Sequence, residues 1–386
     1  MNYSFPKIET IEDVKPYLDE WEEFRITDKG DYTVVNYMVG MKDTFNAIDG
    51  DTHSMVIRRE CRGLIFDSAT GKLLSRPYHK FFNANEKPET SVDEVDWSAP
   101  HHILEKLDGS MIRPIPIADG FRLGTKAGVT EVAMNVEIFI ANKPNYAKFI
   151  TTMLSNGLTP IFEWVSRKNR IVVDYPEDNL ILTAVRDIHT GMYESYSMIC
   201  TFGYNYDIPV VQAILMDGGP ACIDVVRAWD TGEGVVFRFD SGHMIKVKAD
   251  QYILCHTSKE QINLEKNVIQ VIINDSIDDI LPLLTEADAN RLQEFQTQFW
   301  VAVREVAQEV AELYSVGARL YPNQKEFAVN YVNTKAVEPQ FRPFLFGMRQ
   351  GNGNAEQLII KQIAKSLTSQ NTVDANRWLW KNLNWN

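Results

Sequence analysis

The chain is poor in the features that announce a membrane protein, a metal cluster or a disordered tail. No stretch approaches the roughly 20 consecutive apolar residues of a membrane span. The opening residues, Met1 to Thr10, lack the apolar run expected of a signal peptide. The four cysteines, Cys61, Cys200, Cys222 and Cys255, lie too far apart to form a metal-type pair. They are expected to be reduced thiols in a cytoplasmic setting, and nothing in them suggests zinc. Internal repeats, low-complexity runs and an unstructured basic tail are also missing. Positive charge is in short supply: 39 Lys and Arg face 52 Asp and Glu, a net charge of −13, with a pI near 5.1. This balance argues against a protein that coats nucleic acid non-specifically. It leaves room for an enzyme acting on nucleic acid, because the local field of a cleft matters more than the sum.

What is present is a chain of 386 residues, 45% of them apolar, enough for a sizeable core and two domains. It is organised around Ile103-Leu104-Glu105-Lys106-Leu107-Asp108-Gly109-Ser110, an apolar strand running into a turn. A lysine at a strand end is held on a rigid edge, a good place for a nucleophile. At neutral pH an unperturbed lysine is about 3.4 units below its pKa. Freeing the amine then costs roughly 4–5 kcal/mol unless cations or burial lower that pKa. A catalytic Lys106 therefore demands basic neighbours. The plain alternative is a surface lysine before an Asp-Gly hairpin turn, and the motif taken alone favours it.

Basic neighbours do occur. Arg58, Arg59, Arg62, Arg76 and Lys80 are concentrated in an otherwise acidic chain. Hydrophobic spacing predicts an amphipathic helix over 9–20, a strand over Tyr32 to Met38, and a hairpin from 58–67 and 72–77. Arg62 precedes Gly63, where a backbone can approach a ligand closely; a strand-edge ion pair is the alternative. Lys80 beside Phe81, Phe82 and Asn83 suits a nucleotide pocket, where rings stack and cations meet phosphate. The two rings could equally be core. A second hairpin, 111–117 with 120–125, delivers Lys126. Residues 131–155 read as helical, and 161–165, 170–173 and 180–186 as strands. Glu163 is a lone carboxylate among bulky apolar residues and must be paired or functional if buried. A last hairpin, 232–239 with 243–248, sets Glu233 between two glycines and Lys246 and Lys248 on one face. Two adjacent lysines repel unless an anion lies between them, and phosphate is the obvious candidate. A solvated stripe on an edge strand is the plain alternative. From about residue 257 the pattern becomes helical, with a long amphipathic helix over 287–316 and shorter ones over 356–367 and 377–383.

In combination these segments resemble the covalent nucleotidyltransferases: the ATP-dependent DNA and RNA ligases and the mRNA capping enzymes. Lys106-Leu107-Asp108-Gly109-Ser110 is similar to their nucleophile motif, Phe162-Glu163 to the third motif, Glu233-Gly234 to the fourth and Lys246-x-Lys248 to the fifth, in the family's order. Glu60-Cys61-Arg62-Gly63, Ser75-Arg76-Pro77, Lys80-Phe81-Phe82-Asn83, Asn169-Arg170-Ile171-Val172 and the stretch from Lys246 to Tyr252 narrow the resemblance to the bacteriophage RNA ligase 1 family. It covers most of residues 30–256. No run of alternating short strands follows residue 257, which counts against the OB domain of DNA ligases and capping enzymes.

The resemblance implies an α+β fold. A ligase-type nucleotidyltransferase domain of antiparallel sheets with flanking helices would occupy 1–256, and an all-α domain for recognising RNA would occupy 257–386. The implied activity is ATP-dependent joining of 5′-phosphate and 3′-hydroxyl RNA ends through lysine–AMP and adenylated RNA intermediates, in RNA (tRNA) repair. Lys106 would be the nucleophile. Arg62 and Lys80 would hold the β- and γ-phosphates, and Lys246 and Lys248 would meet the α-phosphate. Lys126 and Glu163 would belong to the nucleotide pocket, with Glu163 accepting from a ribose hydroxyl. Glu233 would help to hold Mg²⁺ or Mn²⁺. Tyr37, Phe82, Gly109, Gly234 and Tyr252 complete the implied nucleotide-binding set. The implied partner is single-stranded or broken-loop RNA such as tRNA, met by a monomer in the cytoplasm with no membrane. Competing readings are a DNA ligase, a capping guanylyltransferase, or an RNA-binding relative without catalysis. Retention of Lys106, Glu163, Glu233, Lys246 and Lys248 counts against the last.

Overall fold

A computed structural model describes residues 4–19, 21–38, 40–41, 43–47, 50–168 and 170–385. The chain divides into two compact units, residues 1–253 and 254–386. Among the described residues no helix is long and apolar enough to cross a membrane.

In the first unit, β1 (Phe24–Asp28), β2 (Tyr32–Tyr37), β3 (Arg62–Asp67) and β4 (Leu73–Ser75) pair antiparallel in that order. The chain enters this sheet through two single 3-10 turns, Ile11–Asp13 and Lys15–Tyr17, where the apolar spacing predicted one amphipathic helix. Pro16 has no N–H for a helical ladder and disfavours helical backbone at Lys15. Ile8, Val14 and Leu18 are buried all the same, so the spacing marks burial without marking helix. A second departure is α1 (Thr52–Glu60), capped by the Asp51 carboxylate accepting from the Ser54 amide at 3.1 Å. Arg58, Arg59 and Glu60 therefore belong to a helix, and the expected strand starts only at Arg62.

The remaining strands are β5 (Phe82–Asn83), β6 (His101–Glu105), β7 (Ser110–Ile117), β8 (Gly120–Gly124), β9 (Leu158–Val165), β10 (Asn179–Asp187), β11 (Gly234–Phe239) and β12 (Met244–Lys248). They make two further sheets, ordered β10-β9-β7-β8 and β5-β12-β11-β6. All these pairings are antiparallel except β5 with β12. Helices α2 (Glu131–Ile140) and α3 (Pro144–Ser155) divide the expected helical stretch at Pro144, which takes the first turn of α3. Two helices that the spacing did not announce follow, α4 (Tyr196–Tyr206) and α5 (Pro220–Arg227).

Alternation along β9 decides which sheet face is core. Phe162 and Trp164 pack with Val136, Tyr146 and Phe149 of the α2 and α3 helices, each buried aromatic or aliphatic side chain contributing about 1.5–3 kcal/mol. Glu163 points to the opposite face. There Val165 joins Leu104 and Leu107 in a separate cluster, which seats the strand leading to Lys106 against β9.

The second unit is helical throughout its regular elements: α6 (Asp250–Ile262), in which the division falls, then α7 (Glu265–Ile273), α8 (Ile277–Ile280), α9 (Glu286–Leu320), α10 (Gln324–Phe327), α11 (Arg342–Arg349), α12 (Ala355–Ser366) and α13 (Gln370–Asn376). The Thr285 hydroxyl accepts from the Asp288 amide at 3.2 Å and caps α9. Leu292, Phe299, Val303, Val306 and Val310 run down its buried face against Ile359, Ile363 and Trp380. The segment expected as a helix from Arg377 is a single 3-10 turn, Arg377–Trp380.

Candidate active site

The β6 strand brings Lys106 to the site. Its backbone amide donates to the Gly234 carbonyl at 2.9 Å, carrying the β6–β11 pairing one residue beyond the strand. The turn that follows lies directly on β9. A Cβ at Gly109 would stand 2.3 Å from the Trp164 carbonyl oxygen and 3.2 Å from Glu163 Cγ, so this approach requires glycine.

Asp108, between them, is buried. Its carboxylate accepts from the amides of Val172 and Val173, each at 2.8 Å, and from the Tyr252 hydroxyl at 2.7 Å. Its own amide donates to the Tyr175 hydroxyl at 2.8 Å. Residues 170–173, expected as a strand, are thus a loop hung on Asp108: two of their amides are satisfied by a carboxylate and not by a neighbouring strand.

Glu233 is fixed by a second close approach. Gly234 has φ +138°, and a Cβ there would come within 2.0 Å of the Val247 carbonyl oxygen. This contact sets Glu233 beside β12. The Glu233 carboxylate is 4% exposed and pairs with Lys106 Nζ at 2.6 Å and Lys248 Nζ at 2.9 Å. Two lysines from neighbouring elements therefore share one buried carboxylate. The anion expected near Lys248 is, in the free protein, Glu233 itself.

These groups surround a cavity of about 290 Å³. Tyr37, Arg62, Lys80, Lys106, Gly109, Glu163, Lys246 and Lys248, all nominated from the sequence, line it. Lys126 meets its wall through Tyr37, with Nζ 4.8 Å from the ring centroid. Glu233 and Gly234 support the wall from behind through the contacts just described. Two more nominated residues, Phe82 and Tyr252, do not line it either. Phe82 is buried with Phe45 and Phe24 in the core of the first sheet, and its neighbour Phe81 lines the cavity instead. Tyr252 is buried, with its hydroxyl committed to Asp108. Asn169 lies outside the described residues. Tyr78, Glu105, Met111, Thr183 and Arg238 also line the cavity, and no local sequence signal distinguishes them from ordinary strand residues.

The crowding of charge alters protonation. Burial, reinforced by Lys80, Lys106 and Arg62 and opposed by Glu86, brings the Lys246 ammonium down to about 7. Burial, reinforced by Glu233 and Asp108 and opposed by Lys106 and Arg62, pushes the Glu163 carboxyl up to about 7. Burial would raise the Tyr37 phenol, but the charges of Arg62, Lys80 and Lys126 together bring it below its ordinary value. The neighbouring cations thus act with burial on Lys246, against it on Tyr37 and against it, without prevailing, on Glu163.

No group of three acidic, His or Cys side chains gathers to hold a metal among the described residues. Mg²⁺ carried mainly by substrate phosphates needs only one or two carboxylates. Glu233, whose two oxygens already face two cations, fits that smaller demand.

A strand-end lysine in a basic, partly buried cavity defines a site for a polyanionic ligand. The chain belongs to the RNA ligase family, whose model matches residues 60–252. That span includes every nominated residue except Tyr37. The chain is 27% identical over 321 residues to a protein of Thermovibrio ammonificans assigned as an RNA ligase, covering 79% of this chain and 80% of that one. It is 26% identical over 168 residues to RNA ligase 1 of bacteriophage TS2126, covering 42% of this chain and 40% of the phage protein. Among solved structures it is similar to an archaeal ATP-dependent RNA ligase, at 14% identity and a TM-score of 0.46 over 66% of each chain.

Proposed function

We propose that the protein is an ATP-dependent RNA ligase that joins a 5′-phosphate to a 3′-hydroxyl. The observation that carries this is the convergence of Lys106, Arg62, Lys80, Glu163, Lys246 and Lys248 on one cavity. In the first step the neutral Lys106 amine attacks the α-phosphorus of ATP. The Nζ–P bond forms, the bond from Pα to the bridging oxygen breaks, pyrophosphate leaves, and the nitrogen gives up one proton to solvent. Arg62 and Lys80 hold the β- and γ-phosphates of the leaving group, while Lys246 and Lys248 meet charge developing on the α-phosphate. Glu163 accepts from a ribose hydroxyl. In the second step an oxygen of the RNA 5′-phosphate attacks the same phosphorus, the P–N bond breaks, and Lys106 regains its proton. In the third, the RNA 3′-hydroxyl attacks the adenylated 5′-phosphate and AMP departs. Phosphoryl transfer asks the protein mainly for position and charge. Glu233 would hold Mg²⁺ or Mn²⁺ through water, and the bound ion supplies further neutralisation of phosphate charge. The helical unit would recognise the RNA, with a broken-loop RNA such as tRNA as the natural substrate; its own core supports a separate task.

The test is incubation with α-labelled ATP and Mg²⁺, followed by denaturing electrophoresis. A label that stays on the protein, and passes to added 5′-phosphorylated RNA, is expected. Absence of any protein-bound label would overturn the ligase assignment.

A second consequence concerns protons. With Lys246 near 7 in the free protein, the arrival of phosphate charge should raise it. At pH 8, where Lys246 is mostly neutral, binding an α,β-methylene analogue of ATP should draw in close to one extra proton relative to Lys246→Met. At pH 6 Lys246 already carries its proton and the difference should vanish. Calorimetry in buffers of different ionisation enthalpy measures this uptake. Equal uptake by both proteins at pH 8 would remove Lys246 from the phosphate subsite.

A further inference from the structure

Arg113 is fully buried on β7, and no local carboxylate accounts for it. Its Nη2 donates to the Gly63 carbonyl at 2.8 Å. Nε and Nη1 have no hydrogen-bond partner among the described residues. Burial lowers its affinity for the proton, with Tyr32 the compensating neighbour, yet guanidinium remains a cation at neutral pH. A buried cation with one hydrogen bond is a costly feature. The fold makes room for it deliberately. Arg113 stands opposite Gly124 across the β7–β8 pair, and a Cβ at Gly124 would lie 3.0 Å from Arg113 Nη1.

The atom that Arg113 holds explains the cost. Gly63 follows Arg62, the cavity's β3 cation. Gly63 has φ +95°, and a Cβ there would lie 2.7 Å from the Lys126 carbonyl oxygen and 2.8 Å from Lys126 Cα. The Gly63 peptide is therefore pressed against the backbone of a second site lysine. Two residues back along β7, Met111 shares Arg113's face and touches the Arg62 guanidinium, with Nη1 to Sδ at 3.4 Å. One guanidinium thus anchors the carbonyl at which β3 meets the Lys126 turn.

We propose that Arg113 is a positioning residue for the triphosphate end of the nucleotide, acting through the Gly63 carbonyl to fix Arg62 and Lys126. It touches no substrate. The proposal rests on the ligase assignment above, under which Arg62 grips the β- and γ-phosphates. The γ-phosphate is present only in the adenylation step. Pre-adenylated RNA keeps one phosphate beyond the α-phosphate but has no γ-phosphate, so sealing it leans far less on the subsite that Arg113 organises.

The experiment compares wild type, Arg113→Met and Arg113→Lys in two reactions: adduct formation from ATP, and sealing of pre-adenylated RNA. For Arg113→Met the KM for ATP should rise roughly tenfold, the scale of a lost hydrogen bond from a charged donor. The maximal adenylation rate should fall less than KM rises, and sealing of pre-adenylated RNA should stay within about twofold of wild type. Arg113→Lys, which can still donate to Gly63, should recover part of the KM. If Arg113→Met does not fold, Arg113→Lys carries the test alone: its KM for ATP should rise a few-fold with pre-adenylated sealing unchanged. An unchanged KM in the folded variants, or equal loss in both reactions, would overturn the proposal. Failure of wild type to form any adduct would instead count against the ligase assignment itself.

Discussion

Lys106→Arg should yield no protein-bound label from α-labelled ATP, although it keeps the charge and nearly the reach of the native side chain. The neutral fraction of an arginine at pH 7 is on the order of 10⁻⁶, so the nucleophile is gone. The fold should survive, because the guanidinium can still pair with the buried Glu233 carboxylate that Lys106 meets at 2.6 Å. Lys106→Ala is the informative companion. It loses the same first step, yet Lys248 remains 2.9 Å from Glu233 to neutralise it. The third step needs the cavity but not the amine, so Lys106→Ala should seal pre-adenylated RNA while leaving ordinary 5′-phosphorylated RNA unjoined. A persistent adduct in Lys106→Arg would assign the chemistry to another lysine, with Lys246 the first to try because burial and neighbouring cations bring it down to about 7. Loss of both substrates in a folded Lys106→Ala would break the three-step scheme.

Much of this site was legible because conspicuous chain positions coincide with the motifs of a resembled family. Lys106 stands between a strand and an Asp-Gly turn, Glu233 between two glycines, and Lys246 and Lys248 two apart on one strand. Period-two patterning found the hairpins of β7 with β8 and β11 with β12, and three-four spacing found α9. Legibility failed where the decisive interaction is long-range. Arg58, Arg59 and Glu60 read as strand because apolar Leu64, Ile65 and Phe66 follow them; the Asp51 cap and a set of buried partners make them helix instead. Residues 170–173 have strand-like composition, but Asp108, more than 60 residues earlier, takes their amides. Phe81 and Phe82 cannot be separated by spacing alone, and only the pairing of β5 beside β12 decides which ring faces the cavity. The basic cluster likewise divides only in three dimensions. Arg62 and Lys80 reach the cavity, while Arg58, Arg59 and Arg76 are buried in structural roles.

The largest stability effect is expected from Glu60→Gln. Glu60 is 1% exposed, and its carboxylate takes Arg76 Nε at 3.0 Å and Arg186 Nη1 and Nη2 at 2.8 and 2.7 Å. Burial alone would raise this carboxyl, but Arg186 and Arg76 overcome it and hold it at about 2. Glutamine keeps the shape, removes the negative charge and turns an amide donor toward two guanidinium donors. Leaving two buried cations uncompensated should cost about 3–5 kcal/mol, or roughly 6–20 °C in melting temperature for a unit of this size. The sign with pH follows from the depressed pKa. Glu60 contributes its full stability above its unfolded value near 4.5 and loses it as pH falls toward 2. The gap between wild type and Glu60→Gln should therefore be constant near neutrality and close progressively below about pH 5. Thermal melts from pH 7 to pH 3 measure it, and a gap under 1 kcal/mol, or one that ignores pH, would refute the assignment. Replacing all three residues by apolar ones should not restore stability here, unlike a buried triad whose members bond only to one another. Arg76 also donates to the carbonyls of Pro6, Ile188 and His189, and Arg186 to those of Pro77 and Gly191. Apolar side chains would leave those five oxygens without these donors, four of them in buried contacts. The damage should reach the cavity as well. Glu60 lies two residues before Arg62, and the Lys80 amide donates to the Arg59 carbonyl at 2.7 Å, so the two cavity cations proposed to hold the β- and γ-phosphates hang from the backbone that this cluster pins.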